Sequence, residues 1–244
     1  MAKSLVHPLK EVNIEIDIFS NKSSLLLFWL LVQREHLKKQ GFSINAAARE
    51  VGISLGLAHK VIRQLEFNGL VVSKGLRTNK KFYLKAPDKI LRTWVQMYSL
   101  IRKTKTKGFM ANTGIETKTK ELGLVPALHL ACADLFNVRS TNLKLKEFYL
   151  PEWDQLSKLV LKFDLQEMDR GYELFLIKPY YSALFEKMRL EPKNKIWKDA
   201  FMILTFLDLF NFPIRGIEQA EALFRKSGLS DICDWKDLEY AFRK

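Results

Sequence analysis

Four residues of one short segment, Gly56, His59, Lys60 and Arg63, recur at i, i+3, i+4 and i+7. On a helix that spacing aligns them on one polar, basic face. Leu57, Val61 and Leu65, one every four residues, predict a core stripe on the other side. A helix that enters a DNA major groove needs this division, with one side packed on a scaffold and the other open to base edges. Lysine and arginine bring donors for base edges and phosphate oxygens, and Gly56 lets a backbone approach closely. His59 serves either as a DNA contact or as a surface bystander. Ser54 caps the segment and leaves a helix N-terminus suited to phosphate. Ser43 takes the capping position of the preceding helix and counts with Ser54 among the candidate DNA contacts. Lys74, Arg77, Asn79, Lys80 and Lys81 lie in and beside one basic turn, suited to phosphate or minor-groove contacts that set affinity more than sequence choice.

The elements that must hold these residues are legible around them. Ile44–Val51 reads as a helix, Gly52 as its break, and Ser54 to about Asn68 as the next helix, closed by Gly69. Small Ala46 to Ala48 let one helix cross close to the other. Leu70–Ser73 and Lys81–Leu84 predict two short strands around the basic turn. A longer helix, Leu25 to Lys39, precedes them. Before it, Val12, Ile14, Ile16 and Ile18 alternate with polar residues, as in a half-buried strand or an extended arm.

Beyond the hairpin, a helix is expected from Lys89 to about Lys103, then a Lys/Thr linker at Arg102–Gly108. Helices are expected at Val125–Phe136, Lys195–Phe210, Ile217–Lys226 and Asp234–Phe242, and strands at Glu147–Leu150 and Tyr172–Lys178, with Leu156–Phe163 ambiguous. The pattern is α+β: an N-terminal winged helix-turn-helix followed by a mixed α+β C-terminal domain. The expected divisions are an arm at 1–22, the DNA-binding domain at 23–87, a linker helix and linker at 88–110, and the second domain at 111–244.

Charge agrees with this division. Residues 1–110 hold 20 Lys and Arg against 7 Asp and Glu, whereas 111–244 hold 20 against 20. A lopsided basic charge concerns partners, here a polyanion, rather than fold. The longest apolar run, Leu25 to Val32, is far short of the roughly 20 residues a membrane span needs. Met1 to Lys10 lacks the apolar run of a signal peptide. The expectation is a cytoplasmic protein with no membrane partner. Cys132, Cys233 and four scattered histidines show no metal-ligand spacing, so no cofactor is expected.

Catalytic patterns are missing as well. A nucleotidyltransferase calls for Gly-Ser followed by a close carboxylate pair on a strand to hold divalent metal. No such Gly-Ser occurs, and Asp164, Glu167 and Asp169 sit in a turn-like stretch. No phosphate-binding glycine loop or nucleophile–base set stands out. Asp208, alone in the apolar run Phe201–Phe210, needs a cap or an ion pair with Arg215. Glu218 and Glu221 read as a solvated helix face.

The run Ser54-Leu55-Gly56 through Leu65-Glu66 to Gly69-Leu70-Val71 resembles the winged helix of the AbiEi-type antitoxin and transcriptional-regulator family of type IV toxin–antitoxin (abortive infection) systems. Leu91 to Tyr98 resembles that family's Leu-x-x-Trp-x-x-x-Tyr linker helix, with Trp94 and Tyr98 on one helix face. Leu207-Asp208-Leu209-Phe210 and Arg215 to Leu223 resemble its closing segment, so the resemblance spans roughly Ser23 to Lys226. Thr113 to Leu145 departs from the family pattern. The resemblance implies an N-terminal domain that binds double-stranded DNA at its own promoter and represses it. It also implies a non-catalytic C-terminal antitoxin domain that opposes a nucleotidyltransferase-like toxin without a stable complex. A homodimer on DNA stays open. The alternatives are a plasmid or replication-type winged-helix DNA-binding protein and, behind it, a nucleotidyltransferase-like enzyme.

Overall fold

The computed structural model describes residues 16–76, 79–110, 115, 118–142 and 146–242. They form a mixed α+β protein of two compact units. The first takes residues 1–97, 186–201 and 231–244, and the second takes 98–185 and 202–230. The division expected at 111–244 is therefore corrected. Two later stretches belong with the first unit, because the helix faces they bury complete its core.

The alternating stretch expected as a strand or an extended arm is described only from Ile16 onward, and there it forms a turn. Asp17 Oδ1 accepts the Phe19 N–H at 2.9 Å, and Ile18 and Phe19 are both buried. A strand would send these neighbours to opposite faces. Residues 1–15 lie outside the described residues. Helix α1 (Asn21–Val32) is apolar nearly all round and buried from Ser23 to Leu31, as a central helix must be. The single helix expected over 25–39 is two. Gln33, at φ −94° and ψ 16°, ends α1, and α2 (Arg34–Gln40) follows with only Leu37 buried. The break lets a charged helix leave the core that an apolar one fills.

Helices α3 (Ile44–Val51) and α4 (Leu55–Phe67) are joined by Gly52, which takes the left-handed conformation (φ 73°) that ends α3. Strands β1 (Val71–Lys74) and β2 (Lys81–Leu84) form an antiparallel hairpin. Phe42 extends it, exchanging both backbone hydrogen bonds with Phe82 at 2.8 Å. Helix α5 (Pro87–Met97) buries Trp94 against Phe19 and Phe28, with centroids at 5.6 and 4.6 Å. Helix α12 (Trp235–Phe242) packs on α5, where Arg92 meets Asp237 and Gln96 Nε2 donates to Ala241 O at 2.7 Å. Parts of α9 (Ser182–Leu190) and α10 (Lys195–Phe210) complete the unit.

The long helix expected from Lys89 stops at Met97. Tyr98 stands beyond α5 and in the other unit, so Trp94 and Tyr98 do not share a helix face. After Ser99 comes one short turn, α6 (Leu100–Lys103). The expected Lys/Thr linker is instead a strand, β3 (Thr106–Met110), between two neighbours in a five-stranded sheet. Gly108, which looked like a linker residue, is demanded by packing. A Cβ there would fall 2.6 Å from the Tyr172 ring.

The rest of the sheet comes from β4 (Val125–Pro126), β5 (Lys146–Tyr149), β6 (Gln166–Glu167) and β7 (Leu174–Ile177), in the order β4-β5-β7-β3-β6. Only β5 and β7 run parallel. One core gathers Phe109, Phe148, Leu174 and Leu176 with Leu159 of α8 (Leu156–Lys162). On β5, Glu147 and Tyr149 face the other way. Helix α7 (Leu128–Leu135), the later part of α10 and α11 (Gly216–Lys226) make up the remainder. No helix among the described residues is long and apolar enough to cross a membrane.

Candidate nucleic-acid interface

Helix α4 presents the expected face. Gly56, His59, Lys60 and Arg63 are all exposed, and the row continues to Phe67, which is 61% exposed. Phe67 stands four residues beyond Arg63, so the same spacing reveals it, although it is apolar. The buried stripe is Ala58, Val61, Ile62 and Leu65. Leu57, expected in it, is only half-buried. The stripe follows i, i+3, i+4, i+7 around the helix rather than a strict four-residue step.

Both serines are caps. Ser54 Oγ accepts the Leu57 N–H and Ser43 Oγ accepts the Ala46 N–H, each at 3.2 Å. Gly56 differs from the other glycines discussed above. A Cβ added to it would meet nothing within 4 Å, and its φ is not in the left-handed region. Neither packing nor backbone conformation asks for glycine there. In a helix interior glycine costs about 1 kcal/mol relative to alanine.

The hairpin carries its cations in two environments. Lys74 and Lys81 are directly opposite on the outer face, both exposed, with Lys74 Nζ 5.3 Å from the Tyr83 ring centre. Like charges facing across strands destabilise a hairpin. Lys80 is held differently. Its Nζ lies 3.7 Å from Glu66 Oε1 and 4.9 Å from the Phe82 ring centre, while Ser73 Oγ also donates to Glu66. Glu66 thus ties the end of α4 to β1 and to the residue that precedes β2. Sequence reasoning placed Lys80 on phosphate and overlooked Glu66, because only the fold brings 66, 73 and 80 together. Asn79 is exposed near the tip beside Leu76, which is 85% exposed. Arg77 lies outside the described residues. Lys187 of α9, also unforeseen, reaches the Gly52 turn and pairs with Glu191 at 3.0 Å.

By sequence, the unit bearing this face holds 24 Lys and Arg against 14 Asp and Glu, and the other holds 16 against 13. The charge contrast survives the redrawn boundary but narrows from that between the chain's two parts.

In the second unit polar groups are buried instead. Asp208 accepts from Tyr98 Oη at 2.5 Å and from Tyr149 Oη. Arg215, its expected partner, pairs with Glu218 at 2.7 Å. Burial pushes the Asp208 carboxyl up to about 7, against the two tyrosine hydrogen bonds, which act to lower it. Glu147, fully buried, accepts the His129 N–H at 2.7 Å and lies 3.0 Å from His129 Nδ1. Glu218 and Glu221 are on the surface of α11 as expected, the latter paired with Arg225. Gln219 between them is buried and binds Val138 O at 3.0 Å and Ser140 Oγ at 2.9 Å. Burial pushes the Cys132 thiol of this unit, and the Cys233 thiol of the first, up to about 12. No group of three or more metal-ligating side chains occurs among the described residues. No family model matches the chain, and neither a curated protein nor a solved structure does.

Proposed function

We propose that this chain is a sequence-specific DNA-binding transcriptional regulator whose α4 is the recognition helix of a winged helix-turn-helix. The observation that carries this is the exposed row Gly56, His59, Lys60 and Arg63, with nothing around Gly56 in the protein itself. A helix that gives up a side chain on its outer face lets another molecule's surface come close. The order α2, Phe42, α3, α4, β1, β2 supports this reading, because a helix-turn-helix with a wing calls for two crossing helices followed by a hairpin. On this reading Lys60 and Arg63 meet base edges in the major groove, and Lys74 and Lys81 meet phosphate. The net excess of ten cations in this unit favours a polyanion.

The finer part, an autorepressing cytoplasmic antitoxin of an abortive-infection system, rests on the resemblance of Ser54–Val71, Leu91–Tyr98 and Arg215–Leu223. On that reading the second unit carries the antitoxin role. The test is an electrophoretic shift of the full chain on duplex from its own upstream region at moderate salt, with single-stranded RNA as competitor. Saturable duplex binding that RNA fails to displace is expected. Equal preference for RNA, or equal affinity for unrelated duplex, would overturn the regulator reading. A neighbouring reading frame for a nucleotidyltransferase-like toxin, neutralised on co-expression, tests the antitoxin part separately.

A further inference from the structure

In the second unit a cleft of about 410 Å³ opens where β5 and β7 both end and α9 begins. It is lined by Arg102, Lys103, Lys105 and Lys178, with Tyr180, Ser182 and two prolines. Among the described residues no acidic one lines it. Among the described residues, none of the four cations is in an ion pair; Lys103 lies over the Tyr180 ring at 5.7 Å.

The backbone forces the cations together. One step beyond the Thr106–Ile177 pair, the Lys178 N–H donates to Lys105 O at 2.9 Å. Thr104 Oγ1 donates to Lys178 O. Two lysines thereby face each other just beyond the paired ends of β3 and β7, and like charges directly opposite are destabilising. Arg102 and Lys103, from the last turn of α6, add to the same cleft. The N-terminus of the nine-residue helix α9 opens onto it, with backbone dipoles that favour negative charge.

We propose that this cleft binds a small phosphorylated ligand of nucleotide size, its phosphates between Lys105, Lys178 and Arg102 and its ring against Tyr180. The volume is that of a small-molecule site. The charge distribution separates this ligand from a nucleic-acid strand. By sequence the unit holds 12 Lys and Arg against 13 Asp and Glu once the four lining cations are set aside. The positive charge of this unit is thus concentrated in one cleft, whereas a nucleic-acid track needs cations spread along the backbone's path. The proposal is independent of the DNA interface, which involves other residues.

The test is calorimetric titration of the full chain with adenosine triphosphate, inorganic pyrophosphate and adenosine. Adenosine triphosphate should bind once per chain, pyrophosphate should compete for the same site, and adenosine should not bind. Lys178→Ala and Arg102→Ala should each weaken adenosine triphosphate at least tenfold. Lys158→Ala, an exposed charge elsewhere in the unit, should change it less than twofold. Circular dichroism should show all three variants folded, since each truncates an exposed side chain. Absence of saturable binding by either phosphate probe would overturn the proposal, as would an equal loss in Lys158→Ala. Cleft variants that weaken a DNA duplex more than adenosine triphosphate would make the cluster a nucleic-acid contact instead.

Discussion

Helices α4 and α10 treat polar residues in opposite ways. On α4, His59, Lys60 and Arg63 face outward, and Gly56 leaves its surroundings empty. On α10, Asp208 is fully buried and held by two tyrosine hydroxyls. Arranging polar groups with partners inside the chain serves the fold. An exposed row, with a glycine that packing does not require, is what the proposed DNA contact calls for. Changes on α10 should therefore alter stability, and changes on the outer face of α4 should alter binding.

The largest effect is expected at Asp208. Asp208→Ala leaves two buried tyrosine hydroxyls without their acceptor, at about 1–3 kcal/mol each. A loss of about 2–5 kcal/mol is expected in urea unfolding. A folded variant of unchanged stability that lost only toxin neutralisation would make Asp208 a functional residue and break the comparison. The pH dependence sharpens it. In the folded protein this carboxyl sits at about 7, above its ordinary 3.8, so between these values the folded state holds a proton that the unfolded chain has lost. Asp208 therefore contributes stability that is full below about pH 4 and is lost as pH rises through 7. Thermal melts of Asp208→Asn should show a flatter pH profile over that window than the parent.

The next largest effect lies on α4. Arg63→Ala should cost about 1–3 kcal/mol of discrimination at one base position while leaving the melting temperature unchanged. Binding to a panel of single-base operator variants measures this. A uniform loss across all sequences would make Arg63 a phosphate contact. The hairpin should behave in the reverse manner. Lys81→Ala should weaken all sequences alike and reduce the salt slope by about one. Lys80→Ala should change the slope less than Lys81→Ala does, because Glu66 and Phe82 already engage Lys80. Equal slopes for the two variants would mean that Lys80 leaves Glu66 when DNA arrives.

What was legible in the sequence divides along the same line. The caps at Ser43 and Ser54, the break at Gly52 and the outer row of α4 were readable because each is a local rule over four to seven residues. The hairpin was readable from its basic turn and the short strand-like runs on either side. What escaped depends on residues far apart in sequence. Phe42 joins the hairpin only by meeting Phe82, and Glu66 acquires its role from Ser73 and Lys80. Thr106–Met110 has the composition of a linker and becomes a strand because β7 and β6 pair on either side of it. Asp208 was recognised as needing partners, but the nearby Arg215 was a worse choice than Tyr98 and Tyr149, respectively 110 and 59 residues away. The domain boundary failed for the same reason. Helix α12 completes the first unit through Asp237 and Ala241, which no local pattern ties to α5.

The smallest expected change is also the sharpest discriminator. Gly56→Ala adds a methyl group where nothing lies within 4 Å, on a backbone that needs no glycine. By helix propensity the variant should be as stable as the parent or up to about 1 kcal/mol more stable. If the outer face of α4 exists only for solvent, no other property should change. If DNA approaches the backbone there, the added methyl should lower duplex affinity while stability holds or rises. Opposite signs in the two measurements cannot come from misfolding, which would lower both. A gain in stability with unchanged affinity at constant salt would show that the helix does not meet DNA through its first turn. Contact would then be left to Lys60, Arg63 and the exposed Phe67 further along the same face.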